Sequence, residues 1–381
     1  MERYTVNGSQ KLENRIKSHM DLIKNNILQE FDENTIQAII MIGGYGRGEG
    51  TVRIDNGEEN VFNDYDFFII SKALGPITTT RMKKKLVHLS GKLTKLVGIE
   101  VDLSLLTMKA FSRLPFTLMN YDMRQKSRII HGNQSILDHL PPYNDAQMPA
   151  IEGTRLLLNR GALLIYCKQQ LADHATLELS EREIIIKYIN KAILAMGDSF
   201  LIINKKYHYS YKVKEETISH IDNPGFPLFE ELKKAYLAAI EFKFTVNFDI
   251  HKTIDVLDWL KKTINIYESY VLWYESKRLQ TPIPSWDSYK KLILLSSTMV
   301  PFHVKIKSLL INMREFGIKK TLQDIDICTC YPRDRLYIVY PFILFKKEQA
   351  MFTNSNYISK IAIADTKSLT NTFWNIWIKY S

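Results

Sequence analysis

The sequence has three cysteines, Cys167, Cys328 and Cys330. They are too few and too unevenly spaced for a disulfide framework or for the paired Cys-x-x-Cys pattern of a structural zinc site. No apolar run approaches the roughly eighteen residues that a membrane span requires, so no membrane is expected among the partners. The opening MERYTVNGSQKLENR lacks the apolar stretch of a secretory signal. A reduced, cytoplasmic protein fits these absences. Repeats and low-complexity tracts are lacking too, which sets solenoid and disordered classes aside.

An acidic excess is also missing. The 381 residues carry 51 Lys+Arg against 41 Asp+Glu, a net charge of +10. The imbalance is uneven: residues 1–150 hold 19 basic and 17 acidic side chains, residues 151–381 hold 32 and 24. A basic second half suits a polyanion such as a triphosphate or RNA, or simply solvated helix faces. A chain of this length exceeds one ordinary core, so two domains are expected.

Apolar positions at Ile16, Met20, Ile23, Ile27 and Leu28, behind Ser9, predict a helix over 9–31. IQAIIMIGG then reads as a buried strand entering a tight loop, and DYDFFIIS (64–71) as a second strand. A basic-faced helix over 78–97, a strand over 98–106, a helix near 108–120 and a strand over 127–132 complete an α/β pattern. Prolines and polar residues interrupt periodicity at 139–153. The expected domains are therefore 1–145, an α/β catalytic domain, and 146–381, an all-helical domain. Helices are expected over 152–172, 180–204, 226–243, 252–279, 286–315 and 367–381. LYIVYPF (336–342) has too few counterparts to build a second sheet.

Glycines concentrate where chemistry is expected: five fall between Gly43 and Gly50 in IGGYGRGEG. Without Cβ atoms, their amides can approach a bound anion. The segment lacks the Lys-Ser or Lys-Thr of a P-loop, and Glu49 stands where a dinucleotide loop needs its third glycine. The next strand carries Asp64 and Asp66 on one face. Carboxylates so close repel unless cations neutralise them. Asp102 follows on the next strand, with Glu100 as a competitor on the same face. Three such carboxylates could bridge two Mg²⁺ ions, or Mn²⁺, for in-line phosphoryl transfer.

GGYGRGE, then Asp-x-Asp, then an acid flanked by apolar residues resembles the DNA polymerase β superfamily of nucleotidyltransferases. GGYGRGE itself is most similar to the bacterial uridylyltransferases that modify the PII nitrogen regulator. The resemblance spans about residues 36–132. It implies a polymerase β-like α/β nucleotidyltransferase domain in which Gly43 and Gly44 hold the triphosphate through backbone donors. It implies that Asp64 and Asp66 bind both metals, and that Asp102 binds the catalytic metal and helps deprotonate the attacking hydroxyl. ATP or UTP is the expected nucleotide.

The interval from Gly44 to Asp64 is longer than in the uridylyltransferases, and TVRIDNGEENVF is expected to form a hairpin or loop at the edge of the site. Nothing after residue 150 resembles the further domains of those enzymes, so PII is not the expected acceptor. Arg47 can bind phosphate through its planar fork or pair with Glu49. Lys191, one turn from Lys187, is a candidate phosphate contact from the helical half, with Tyr209 or Lys212 behind it. Lys187, Lys191, Lys205, Lys206, Lys212 and Lys214 crowd into a short stretch. The reaction implied is transfer of a nucleoside monophosphate to an acceptor hydroxyl with release of pyrophosphate. The acceptor is RNA or tRNA, as for a toxin-like enzyme, or a protein that becomes AMPylated or UMPylated. A cationic antibiotic suits the basic half less well, and an inactive nucleotide- or RNA-binding module has no need of the repelling acids.

Overall fold

A computed structural model describes residues 3–32, 34–144, 147–173, 177–223, 225–296, 302–323, 327–345, 358–359 and 365–380. Helix α1 (Gln10–Glu30) begins where the Ser9 hydroxyl accepts from the Leu12 N–H, and buries Ile16, Met20, Ile23 and Ile27. Then come β1 (Ile36–Met41), the short helix α2 (Gly43–Arg47), the hairpin β2 (Val52–Asp55) and β3 (Glu58–Val61), and β4 (Asp64–Ser71). Helix α3 (Pro76–Val97) leads to β5 (Glu100–Thr107), α4 (Met108–Phe111), α5 (Leu118–Gln125) and β6 (Arg128–Gly132). Beyond these lie α6 (Ile151–Asp173), α7 (Leu179–Ile203), α8 (Tyr211–Ser219), α9 (Phe229–Phe244), the two-residue strand β7 (Thr245–Val246) and α10 (Val256–Arg278). The last helices are α11 (Trp286–Ser296), α12 (Phe302–Phe316), α13 (Ile318–Gln323), α14 (Leu336–Leu344) and α15 (Thr366–Tyr380).

The fold is mixed α/β with two small sheets and many helices. Two compact units share the chain. Unit 1 comprises residues 1–152, 204–222 and 233–254; unit 2 comprises 153–203, 223–232 and 255–381. The expected boundary, between residues 145 and 146, falls on residues outside the described set.

Unit 1 is built on a four-stranded sheet of order β5-β4-β1-β6. β4 and β5 are parallel, a pairing that needs a crossover, and α3 supplies it. β1 runs antiparallel to both β4 and β6. Alternation divides the side chains: Ile39, Met41, Tyr65, Phe67, Ile69, Val101 and Leu105 join α1 and α3 in one core cluster. Ala38, Ile40, Phe68 and Ile70 join Phe111 and Met123 of α4 and α5 on the other face.

The inserted segment is a hairpin, as its composition allowed. Its two-residue turn, Asn56-Gly57, has φ of 51° and 80°, the left-handed pair that a tight hairpin requires. β7 pairs parallel with β2 to make a three-stranded sheet. The chain beyond residue 146 is thus not all helical. The helix expected near 108–120 is two, α4 and α5, separated by a loop carrying Pro115. Tyr211–Ser219, which lies between the helices expected over 180–204 and 226–243, is a helix as well.

Among its described residues unit 2 has helices joined by turns and no strand. α7 packs on α10, whose Tyr267, Tyr270 and Tyr274 are buried. The buried Glu275 carboxylate receives hydrogen bonds from Thr154 Oγ1 (2.5 Å) and Arg278 Nε (3.0 Å). LYIVYPF lies within α14, where Lys168 Nζ donates to the last carbonyls, those of Ile343 (3.0 Å) and Leu344 (2.8 Å). The helix expected over 286–315 is described as α11 and α12; residues 297–301 between them lie outside the described set.

The N-terminal segment is fastened by one buried carboxylate. Glu13 accepts from the Tyr4 N–H (2.7 Å), the Thr5 N–H (3.0 Å) and Thr5 Oγ1 (2.5 Å). Replacing Glu13 with Ala should lower the unfolding free energy of unit 1 by about 2–3 kcal/mol in urea titrations, because buried donors lose their acceptor. Lys11→Ala, at an exposed position, should change it by less than about 0.5 kcal/mol.

Candidate active site

The acids come together through strand register. Asp64 pairs with Glu100 and Asp66 with Asp102 in the parallel β4–β5 ladder. Because Tyr65, Phe67 and Val101 point into the core under α1 and α3, all four carboxylates occupy the opposite face. Asn63, at φ 75°, turns the chain immediately before Asp64, an uncommon conformation for a residue other than glycine. α3 fixes the start of β5: the Val101 N–H donates to Thr94 Oγ1 (3.1 Å), and Ser90 Oγ donates to the Val101 carbonyl. Asp102, the next residue, inherits that placement.

The crowding has an electrostatic signature. Lost solvation, then the charge of Asp64, raises the Asp102 carboxyl above its ordinary range. Among the described residues, no three His, Cys, Asp or Glu side chains gather into a ready coordination sphere. The donor set is all carboxylate oxygen, and two or three such groups suit Mg²⁺ completed by water and substrate phosphates better than a cation caged by protein alone. What these side chains supply toward such an ion is the chemistry of their donors, oxygen alone.

The glycine segment is a single turn of helix, α2, reached from β1 and facing these acids. Gly43 has φ +69°, and a Cβ there would stand 2.6 Å from Asp66 Oδ2, so its backbone lies against the carboxylate. A Cβ on Gly46 would stand 2.2 Å from the Met41 carbonyl oxygen, which fixes how closely α2 packs on β1. The N-cap of α2, Ile42, supplies no side-chain acceptor to the first-turn amides, which include those of Gly43 and Gly44. An anion could satisfy them. Gly44 is small for a further reason: a Cβ would meet the Glu49 carbonyl at 3.1 Å and Lys243 Nζ at 3.3 Å, atoms of the loop's own support rather than open space.

That support comes from Asp122 and from residues later in the chain, 207–243. Arg47 pairs with Asp122 of α5 instead of Glu49, Nη1 to Oδ2 at 3.2 Å, with both side chains largely buried. Tyr207 donates to the same carboxylate at 3.0 and 3.2 Å. The buried Arg47 Nε has no hydrogen-bond partner among the described residues. Glu49 is buried as well. Its carboxylate accepts from Ser210 Oγ (2.6 Å) and the Tyr211 N–H (3.1 Å), capping α8 from outside its own segment. Lys243 Nζ donates to the Glu49 carbonyl at 3.1 Å. Tyr45 donates its hydroxyl to the Thr51 carbonyl (2.7 Å) and accepts from the Phe62 N–H (2.9 Å), joining the turn to the hairpin.

The sequence candidates are therefore distributed unevenly. Asp64, Asp66, Asp102, Gly43, Gly44 and Arg47 share one region of unit 1. Lys191 and Lys187 lie half-buried on α7, in unit 2. Lys205, Lys206 and Lys212 are exposed in unit 1, whereas Lys214 is buried between the rings of Tyr207 (4.2 Å) and Tyr211 (4.1 Å). Lys243, Asp122 and Tyr207 were not legible as site residues. Each sits in an ordinary local pattern, and only the chain's return to the glycine turn gives it meaning.

No family model matches the sequence, and no curated protein sequence resembles it significantly. Among solved structures it is similar to the crystal structure of a spectinomycin adenyltransferase from Enterococcus faecialis with ATP and spectinomycin. Identity is 12% and the TM-score 0.40, over 66% of this chain and 99% of that one. At that TM-score the likeness carries no weight for fold or substrate. No helix among the described residues is long and apolar enough to cross a membrane.

The raised Asp102 carboxyl gives a signed expectation. A folded-state pKa above the unfolded value adds stability at low pH that is lost as pH rises through the carboxylate range. At neutral pH without divalent ions, Asp102→Asn should therefore melt no lower than the parent. Its advantage should shrink as the buffer is acidified toward and below the ordinary carboxylate pKa. Thermal melts across that range check this; an Asn variant that melts lower at neutral pH would remove the strain assigned to the acids.

Proposed function

We propose that unit 1 transfers a nucleoside monophosphate from a nucleoside triphosphate, ATP or UTP, to an acceptor hydroxyl, with release of pyrophosphate. The observation that carries this reading is the register pairing of Asp66 with Asp102 beside the uncapped first turn of α2. Mutually repelling carboxylates next to amides that no side chain caps form a place for cations and phosphates together. The motif resemblance to polymerase β-like nucleotidyltransferases supports the same chemistry.

Asp64, Asp66 and Asp102 would hold two Mg²⁺ ions, or Mn²⁺, with Glu100 next to Asp64 as a further oxygen donor. Bound there, the ions would neutralise the charge that develops on the phosphate oxygens. The amides of Gly43 and Gly44 would orient the triphosphate, and the strands would present it in line with the attacking hydroxyl. Asp102, whose carboxyl holds its proton more tightly than usual, would draw the proton from that hydroxyl. Arg47 braces the turn through Asp122. Lys243 brings a positive charge to the turn. Lys191, in unit 2, remains a candidate phosphate contact.

RNA is the acceptor we favour, because the chain's positive charge suits a polyanion. Protein AMPylation or UMPylation is the alternative, and an inactive nucleotide- or RNA-binding module the contrary outcome. Purified protein should be incubated with each α-labelled nucleotide, Mg²⁺, total RNA and total protein. The parent should transfer label from the α but not the γ position, and Asp66→Asn should lose transfer by about a hundred-fold or more. Label on protein alone would replace RNA as acceptor. Equal transfer by parent and variant would end the carboxylate assignment.

A further inference from the structure

We propose that the solvent face of α3, with the neighbouring end of α1, is a docking surface for a nucleic-acid phosphate backbone. α3 carries Arg81, Lys83, Lys84, Lys85, His88, Lys92 and Lys95 and no acidic residue, and every one of these side chains is exposed. A groove of about 520 Å³ between α1 and α3 is lined by Asn26, Gln29, Glu30, Lys84, His88 and Lys92, among others. Glu30 is the acid in that lining, and it is engaged by Lys85 at 2.8 Å. Lys92 donates to Asn26 Oδ1 at 3.0 Å. Arg81, Lys83, Lys84 and Lys95 have no acidic partner among the described residues.

The arrangement selects among polyanions. Lys84, His88 and Lys92 follow one another at one-turn steps of about 6 Å, and Arg81 to Lys95 spans about 21 Å along the axis. A row of cations without apolar anchors fits a ligand whose charges repeat along a line. A protein partner would need buried aromatic or aliphatic anchors, and the groove offers Leu89, which is itself buried in the core. A membrane surface would need a free apolar face, but Met82, Leu86, Leu89, Leu93 and Val97 are committed to the core of unit 1. Ile77, Val87 and Leu96 are exposed on α3, yet they stand about ten residues apart and form no patch.

Position separates this surface from the carboxylates. The core face of α3 packs on the side of the sheet that Tyr65 and Phe67 occupy, and the acids lie on the other side. A helix layer about 10–12 Å thick and the sheet therefore stand between them. A nucleotide or small acceptor cannot use both places, whereas a polymer can. The inference does not depend on the transferase reading, since binding can be measured where no transfer occurs.

The test uses full-length protein in EDTA, with labelled mixed-sequence RNA and DNA twenty-mers followed by fluorescence anisotropy over a salt series. The parent should bind, with affinity falling steeply as salt rises. Arg81→Glu, Lys84→Glu and Lys95→Glu combined should weaken binding by about ten-fold or more and flatten the salt dependence. The matching Gln triple should fall between, and melting curves should coincide because all three positions are exposed. Lys261→Glu, Lys307→Glu and Lys319→Glu, an equal change of charge at other exposed positions, should alter affinity by less than about two-fold. The proposal is overturned if the parent binds neither polymer, if the α3 variants bind as the parent does, or if the control triple weakens binding as much. Tighter capture by phosphatidylserine vesicles than by either polymer would assign the surface to membranes instead.

Discussion

The parallel pairing of β4 with β5 sets Asp66 directly against Asp102 and Asp64 against Glu100, and the rest of unit 1 is arranged around that electrostatic liability. Like charges in register weaken a sheet, so neighbouring elements must supply the missing stability. They do so on the opposite face, where Tyr65, Phe67, Val101 and Leu105 join the apolar stripes of α1 and α3. The hydroxyls of Ser90 and Thr94 then hold β5 at Val101, its second residue. A strand that begins acidic on one face and apolar on the other is thus stable only as part of this layer. Charge repulsion and apolar burial act on alternate residues of the same eight.

The second requirement is that the glycine turn keep one shape. Five residues of helix with glycines at 43, 44 and 46 have little intrinsic stability. Rigidity is imported through Arg47–Asp122–Tyr207, through Glu49 on the start of α8, and through Lys243 on the Glu49 carbonyl. The Arg47–Asp122 pair is largely buried, so removing one partner would strand the other charge away from water.

Much of unit 1 could be read in advance, because its signals are local. Ser9 before a helical stripe, β-branched runs ending in glycine, and alternating acids at a strand start each act over a few residues. The hairpin between Gly44 and Asp64 was open as hairpin or loop, and Asn56-Gly57 settles which. Register was not legible. Only the folded sheet shows that Asp66 faces Asp102 while Glu100 faces Asp64. The return of residues 204–222 and 233–254 to unit 1 was invisible for the same reason, since long-range contacts leave no periodicity. Lys214 illustrates the difficulty. It sits in a run of lysines that looks solvated, yet the rings of Tyr207 and Tyr211 enclose it.

The late bracing of an early turn has a consequence for how the protein is made. During synthesis the chain emerges N-terminus first, and the sheet bearing the acids can form once β6 has left the ribosome. The glycine turn cannot then be complete, because Glu49 waits for Ser210 and Tyr211, its carbonyl for Lys243, and β2 for β7. A nascent chain or a fragment ending near residue 150 would carry the acids without the braced turn. Bracing of the turn is thereby deferred until residue 246 has been translated, which ties its final shape to near-completion of unit 1 rather than to the appearance of its glycines.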